Sequence, residues 1–172
     1  NMSDIVLLLG KSFDYDVLGC MGNEIGYVKD GCEVVVSATT ITKLDRRRMT
    51  SAFSDIITRY SLKCMSTNND QILQRKSQVT LSCIGRTAPP ELKDAFDPDK
   101  TIRRKIVETL HRDFVLPYNI VIGGSTSIDM TVGYADKASG FLNFCNSNRV
   151  DPCECIFFGD SVEYGGNDYS IS

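Results

Sequence analysis

The sequence predicts an α/β protein in which an α+β unit is inserted into a parallel α/β core. Near its end the chain has an apolar run followed by Gly159 and Asp160. This pattern is typical of a buried parallel strand with a carboxylate at the carboxyl edge of its sheet. Between residues 33 and 132 the pattern reads strand, helix, two strands, helix, two strands. This order favours an antiparallel sheet with two helices on one face. We therefore assign 1–32 and 133–172 to the core.

Local signals define the elements of the core. A two-residue turn, Asp30-Gly31, separates two runs of strand-forming residues and predicts a hairpin. Gly10 ends the first helical segment. The predicted elements are a helix over 2–9, strands over 15–20, 25–28 and 32–36, a helix over 137–146 and a strand over 155–158.

The inserted unit has clearer periodicities. Phe53 and Ile56 belong to a set of apolar residues at helical spacing, whereas Val79, Leu81 and Cys83 alternate as in a strand. Prolines at 89, 90 and 98 predict a loop. The predicted elements are helices over 42–60 and 99–114 and strands over 71–73, 78–84, 118–122 and 127–132.

The composition is typical of a globular protein, with 42% hydrophobic and 24% charged residues. The net charge of −3 argues against a general binder of nucleic acids or membrane surfaces. The basic runs 46–48 and 103–105 lie in helical patterns close to acidic residues, which favours solvated helix faces. No apolar run has the length of a membrane span, and no secretory signal is visible. We expect neither a nucleic acid nor a membrane as partner.

The seven cysteines include no CxxC pair. Cys153 and Cys155 form a CxC, but only His111 is available to complete a zinc site with them. This pattern favours buried, reduced thiols and a cytoplasmic protein.

The end of the chain carries the strongest chemical signal. Asp160 is followed within one loop by Gly165-Gly166-Asn167 and a second acid, Asp168. The glycines allow the backbone to approach a bound anion closely. Two carboxylates in such a loop suit Mg²⁺ and a phosphorylated substrate.

Several spaced motifs together resemble the eukaryotic-type phosphomannomutases of the haloacid dehalogenase superfamily, which have the larger α/β cap. Several motifs in the right order are more specific than any one alone. The matching segments are 13–15, 22–31, 84–86, 122–129, 136–137, 157–160 and 165–168. The resemblance implies a haloacid-dehalogenase-like core, incomplete in these residues, with an inserted cap of antiparallel sheet and two helices.

The resemblance also implies roles for individual residues. Asp160 and Asp168 would hold Mg²⁺, and Lys137 would be catalytic by neutralising the transferring phosphoryl group. The cap residues that would bind the substrate, a phosphorylated hexose, are Arg75, Arg86, Lys93, Ser127 and Asp129.

Each role has a structural alternative. Arg75 and Lys93 have the spacing of ordinary surface cations, and Lys137 that of a surface lysine at a helix start. Ser127 and Asp129 lie two apart on one strand and therefore share a face, which suits either a common ligand or a structural hydrogen bond.

Some residues depart from the family pattern. Lys93 stands where the family has arginine, Ala135 replaces an aromatic residue, and 75–78 reads Arg-Lys-Ser-Gln instead of Arg-Asn-Gly-Met. The sugar pocket is therefore expected to be altered, and the identity of the sugar stays open.

The Asp-x-Asp-Gly-Thr nucleophile motif of the family is missing from these residues. Asp14-Tyr15-Asp16 is followed by Val17-Leu18 instead of Gly-Thr and is a poor candidate, and 97–99 is poorer still. The 172 residues alone are therefore expected to bind metal and substrate weakly and to be inactive, as a fragment or as a naturally truncated pseudoenzyme.

Three functions fit these features. The first is a phosphohexose mutase that interconverts hexose 6-phosphate and hexose 1-phosphate through an aspartyl-phosphate. The alternatives are a sugar-phosphate phosphatase of the same superfamily and a catalytically dead scaffold or regulatory subunit. The resemblance further implies a homodimer joined through the caps.

Overall fold

The computed structural model describes residues 2–113, 118–132, 136–159, 162–163 and 168–171. The chain divides into two compact units, Asn1–Thr40 with Tyr134–Ser172 and Ile41–Gly133. The first boundary follows Thr40 rather than residue 32, because the strand that starts at Cys32 pairs along its length with the preceding strand.

The described helices and strands are, in chain order, α1 (Met2–Leu9), β1 (Tyr15–Gly19), β2 (Glu24–Lys29), β3 (Cys32–Ala38), α2 (Lys43–Arg59), β4 (Ile72–Gln74), β5 (Val79–Ser82), α3 (Pro90–Phe96), α4 (Thr101–Asp113), β6 (Tyr118–Gly123), β7 (Ser127–Val132) and α5 (Lys137–Asn148).

The first unit contains a three-stranded antiparallel sheet in the order β1-β2-β3. Asp30 and Gly31 both have positive φ, so the predicted β2–β3 hairpin closes through a two-residue turn, as its Asp-Gly sequence favours. Helix α1 packs Met2 and Val6 against Val17 and Val28 of the sheet. It ends as predicted at Gly10, whose N–H donates to the Val6 carbonyl.

The predicted strand over 155–158 is wrong. This segment has no regular structure, and Ile156 and Phe158 are 83% and 88% exposed. An apolar run forms a strand only where a neighbouring strand satisfies its backbone groups. Both sheets in the described part of the chain are antiparallel, so the described residues contain no parallel sheet for this run to join.

The second unit is a four-stranded antiparallel sheet, in the order β4-β5-β7-β6, on which α2 and α4 pack. Alternate strand residues face these helices and form the core. This core comprises Val79 and Leu81 of β5, Cys83 directly after β5, Ile128 and Met130 of β7, and Met49, Phe53, Ile56, Ile106 and Leu110 of the helices, among others.

The predicted loop at the prolines is partly wrong, because Pro90 begins the short helix α3. Proline is well suited to the first turn of a helix, where its missing N–H would have no partner. The second unit therefore has a third helix besides the two expected.

The cysteines do not all follow the expectation of buried thiols. Cys20, Cys83 and Cys145 are buried, whereas Cys32, Cys153 and Cys155 are exposed. Burial raises the pKa of Cys83 to about 12, so this thiol is neutral. Among the described helices none is long and apolar enough to cross a bilayer.

Replacing Phe53 with alanine should lower the free energy of unfolding by about 3–5 kcal/mol, because a large buried side chain is removed. Leu44→Ala on the same helix is the control, since Leu44 is 57% exposed. We expect Leu44→Ala to change the free energy of unfolding by less than about 0.5 kcal/mol. Urea denaturation followed by circular dichroism measures both. Equal losses would contradict the buried face assigned to α2.

Candidate phosphate-binding cavity and active-site lysine

A cavity of about 300 Å³ in the second unit brings together all five predicted substrate-binding residues. They come from segments far apart in the sequence, between Arg75 and Asp129. The lining residues are Asp70, Leu73, Arg75, Thr80, Ser82, Arg86, Lys93, Gly124, Ser125, Thr126, Ser127 and Asp129. Three cations and two carboxylates therefore surround one space.

The register of the sheet places Asp129 and Ser127 in this cavity. Asp129 pairs with Thr80 of β5, and Ser127 pairs with Ser82, so these four polar side chains share one face. The Thr80 hydroxyl donates to Asp129 Oδ1 at 2.6 Å and accepts from Gln78 Nε2 at 2.9 Å. One oxygen of Asp129 thus has the structural hydrogen bond that was the alternative to ligand binding.

The environment of Asp129 alters its ionisation. Burial raises the pKa of this carboxyl, and the hydrogen bonds from Thr80 and Gln78 partly oppose that effect. Gly123 is also required here, because a Cβ at this position would lie 2.8 Å from Asp129 Oδ2 and 2.9 Å from Ser127 Oγ. The glycine therefore makes room for both side chains.

A tight turn presents Arg86, and Asp70 holds that turn. The Asp70 carboxylate accepts from the backbone N–H of Arg86 at 2.9 Å and of Thr87 at 3.0 Å, and from the Thr87 hydroxyl at 2.9 Å. Ser66 donates to it as well, and this hydrogen bond is the largest cause of the lowered pKa of Asp70. Sequence reasoning missed Asp70, because the backbone groups that it holds in this turn are 16 and 17 residues away.

Lys93 joins the same turn from α3. Its Nζ donates to the Arg86 carbonyl at 2.6 Å. Lys93 is thus attached to the backbone that carries Arg86, although α3 was not predicted. Its ammonium can contribute charge to the cavity, but it cannot form the paired hydrogen bonds of an arginine.

Arg46 holds the backbone at Arg75. Its guanidinium donates to the carbonyl of Arg75 and, at 3.3 Å, to that of Lys76. Arg47 and Arg48 are exposed, so the predicted solvated face of this basic run holds for two of its three residues. In the second basic run Arg103 is wrongly predicted as solvated, since it is 2% exposed and paired with Asp97.

The first unit contains the predicted catalytic lysine. Lys137 is the first residue of α5, directly after Asp136, which caps the helix through a reciprocal pair of hydrogen bonds with Ser139. Lys137 Nζ pairs with Asp168 Oδ1, and the Asp168 side chain is 5% exposed. The structure thus brings together two of the predicted active-site residues.

Close backbone packing fixes α5. A Cβ on Gly140 would lie 2.5 Å from the Gly22 Cα, so the helix and the turn at Gly22 touch through their backbones. Gly22 also has a φ of +81°, which favours glycine. The contact holds the helix that starts with Lys137.

The predicted metal loop is described only in part. Asp160 and 165–167 lie outside the described residues, whereas a Cβ on Gly159 would lie 2.8 Å from Asp168 Oδ2. Asp168 thus lies beside the residue that precedes Asp160. The buried carboxylate is a hard oxygen ligand of the kind that Mg²⁺ prefers. Within the described ranges no three His, Cys, Asp or Glu side chains cluster around a common point.

The two candidate nucleophile segments, 14–16 and 97–99, make contacts of a structural kind. Asp14 Oδ1 accepts the backbone N–H of Asp30 at 3.0 Å, and Asp16 lies on the exposed face of β1. The Asp97 carboxylate accepts from the backbone N–H groups of Ile102 and Arg103 at the start of α4. These contacts are those of a turn, a surface strand and a helix start.

Comparison with known proteins supports a common fold. The computed structure of the chain is similar to Plasmodium falciparum IMP-nucleotidase, with a TM-score of 0.55, 16% identity, and coverage of 90% of this chain and 38% of that one. The ATP-bound form of that enzyme gives a TM-score of 0.55 at 18% identity, covering 99% and 39%. At such identity the likeness shows the fold alone, which is of the haloacid dehalogenase type.

Sequence comparison is more specific. The model of the family "Eukaryotic phosphomannomutase" matches residues 13–172. Phosphomannomutase from Spinacia oleracea is 29% identical over 95% of this chain and 66% of its own length, and that from Saccharomyces cerevisiae is 35% identical over 56% and 39%. That from Arabidopsis thaliana is 36% identical over 56% and 39%.

The fold therefore defines a protein of the haloacid dehalogenase type. Within that class, the chain belongs to the eukaryotic phosphomannomutase family. The predicted resemblance and fold class are confirmed. The matches span 39% to 66% of the length of these three relatives.

The two carboxylates of the cavity should affect the pH dependence of stability in opposite directions. Because the pKa of Asp129 is raised in the folded chain, its unfavourable contribution grows as pH rises from the unfolded pKa, about 3.9, through the folded pKa. The pKa of Asp70 is lowered, so its stabilising contribution is present above the unfolded pKa and is lost as pH falls through the folded pKa.

We therefore expect Asp129→Asn to gain stability relative to wild type as pH rises above about 4. Asp70→Asn should lose stability relative to wild type as pH rises towards the unfolded pKa of about 3.9, and it should keep this deficit at higher pH. The difference in urea midpoint between each variant and the wild type measures this. Since both variants replace Asp by Asn in one cavity, each is a control for the other. Differences of the same sign would contradict the environments described for these groups.

Proposed function

We propose that this chain belongs to a phosphohexose mutase that interconverts hexose 6-phosphate and hexose 1-phosphate through an aspartyl-phosphate. The observation that supports this function best is the cavity, in which Arg75, Arg86 and Lys93 surround a single space beside Ser127 and Asp129. Membership of the phosphomannomutase family supports it independently.

In this proposal the cations bind the phosphate that does not react. Arg86 and Arg75 can each donate paired hydrogen bonds to phosphate oxygens, and Lys93 adds charge. Ser127 and the Asp129 oxygen that does not accept from Thr80 would contact sugar hydroxyls. Asp70 and Arg46 hold the backbone of the two arginines and thereby reduce the entropy lost on binding.

The reacting phosphate would be bound by the first unit. Lys137 would donate to its oxygens and to the attacking carboxylate, neutralising charge that develops during transfer. Asp168 and Asp160 would hold Mg²⁺, which when bound polarises phosphoryl oxygens. In the structure Asp168 keeps the Lys137 ammonium in place. We also propose a homodimer joined through the caps and a cytoplasmic location.

Binding of a hexose phosphate to the ¹⁵N-labelled chain tests the phosphate site. We expect millimolar mannose 1-phosphate to shift the amide resonances of Arg86, Thr87 and 124–127. Arg86→Met should weaken this binding by about tenfold or more, because charge-assisted hydrogen bonds are lost. NMR titration gives both affinities.

Arg47→Met is the matched control, because Arg47 is an exposed arginine that does not line this cavity. It should keep the wild-type affinity. Equal weakening by Arg47→Met would indicate a nonspecific charge effect, and wild-type shifts elsewhere in the chain would overturn the assigned phosphate site. Mannose without phosphate should cause no shift.

The complete gene product, incubated with mannose 1-phosphate, Mg²⁺ and a hexose bisphosphate activator, tests the reaction. Net isomerisation supports the mutase. Net release of inorganic phosphate would instead support the phosphatase, and binding without turnover would support the scaffold or regulatory subunit.

A further inference from the structure

A buried ion pair lies behind the phosphate cavity. The side chains of Arg103 and Asp97 are 2% and 1% exposed, and Arg103 Nε donates to Asp97 Oδ2 at 2.9 Å. Arg103 does not line the cavity. Its position inside the unit therefore requires an explanation other than direct contact with the substrate.

The Arg103 guanidinium donates four hydrogen bonds, to backbone carbonyls and to the Asp97 carboxylate. Nη2 donates to the Asp97 carbonyl at 2.9 Å, and Nη1 donates to the carbonyls of Gly123 at 3.1 Å and Gly124 at 2.7 Å. Asp97 in turn accepts from two backbone N–H groups at the start of α4. One side chain thus connects this helix to the turn between β6 and β7.

That turn forms one wall of the cavity, since 124–127 all line it. At the end of the turn that leads into β7, the Thr126 carbonyl accepts the N–H of Cys83 at 2.9 Å. At the end that follows β6, Arg103 holds the turn. Gly124 has a φ of +22°, so local backbone preference does little to fix this conformation.

Stability alone is a weak explanation for such a pair. Desolvating two charges can cost more free energy than their attraction returns, and apolar replacements of buried ion pairs are often neutral or stabilising. A guanidinium, however, offers five donors in a rigid plane, which can hold two carbonyls in fixed positions. Positioning of the turn is the property that an apolar pair would lack.

We infer that Arg103, held by Asp97, is a positioning residue for anion binding, which fixes the turn of 123–127 against the phosphate cavity. The inference rests on the proposed function of that cavity. Arg103→Lys keeps the charge but cannot reach Asp97 and both carbonyls together. We expect it to weaken binding of inorganic phosphate by about tenfold, equivalent to one charge-assisted hydrogen bond.

The experiment is an NMR titration of the 172-residue chain with inorganic phosphate. The control is Ile56→Val, a buried substitution on α2, which packs against β4 and β5 rather than the turn. If Ile56→Val lowers the free energy of unfolding by about as much as Arg103→Lys does, it should still keep its affinity for phosphate within about twofold of the wild type. If loss of stability were the cause, both variants would bind phosphate more weakly to a similar degree. That result would overturn the inference.

A second variant tests the inference in case Arg103→Lys does not fold. The double variant Asp97→Asn with Arg103→Met removes both charges and keeps a capping side chain at the start of α4. It should fold and show the same loss of affinity. In the wild type, phosphate should also shift the Nε–H resonance of the buried Arg103, and an unmoved resonance would contradict the coupling without any mutation.

The outcomes separate the two claims. A wild-type chain that does not bind phosphate overturns the proposed function and this inference with it. Wild-type binding that Arg103→Lys and the double variant both retain overturns the positioning role alone. Wild-type binding that both variants weaken, while Ile56→Val does not, supports it.

Discussion

Successive side chains of each strand in the second unit point to opposite faces of the sheet. The cavity depends on this constraint. Ile128 and Met130 must face α2 and α4, because they complete the apolar core. Ser127 and Asp129 are consequently directed to the other face, where the register pairs them with Ser82 and Thr80. A register slip of one residue would bury Asp129 in the core and expose Ile128, and the cost of both changes excludes it. The polar composition of the cavity is thus a direct consequence of how the core is packed.

Hydrogen bonds to backbone groups hold the segments that carry the cations of the cavity. Asp70 holds the Arg86 turn through two N–H groups, and Arg46 holds the Arg75 carbonyl from the neighbouring helix. Lys93 is bonded to the carbonyl of Arg86 instead of to a carboxylate. Because these segments are already ordered, less conformational entropy is lost when an anion binds. Asp70 is within the cavity, yet four hydrogen-bond donors stabilise its charge.

Local signals predicted most elements of the second unit, and long-range contacts explain what they missed. The helix around Phe53 and the strand ending at Val132 have strong periodicities, so their bounds agree closely with the structure. Arg103 has the same local pattern as a surface arginine, and only the carbonyls of Gly123 and Gly124 twenty residues later reveal its burial. The run at 155–158 failed for the opposite reason, because its strong apolar signal lacks a pairing strand in the described residues. The five cavity residues were predicted from family motifs; spacing alone favoured surface positions for two of them.

The residues proposed to bind phosphate and those proposed to contact the sugar differ in how closely they follow the family. Arg75 and Arg86 keep the paired donors that would recognise a phosphate, and hydrogen bonds hold the backbone of both residues. On the sugar side, Gln78 departs from the family pattern, and its hydrogen bond orients the Thr80 hydroxyl that occupies one oxygen of Asp129. A carboxylate with one oxygen already used can accept fewer hydroxyl hydrogen bonds, and discrimination between stereoisomeric hexoses depends on such bonds. We therefore expect the cavity to distinguish phosphorylated from neutral sugars strongly, and one hexose phosphate from another much less.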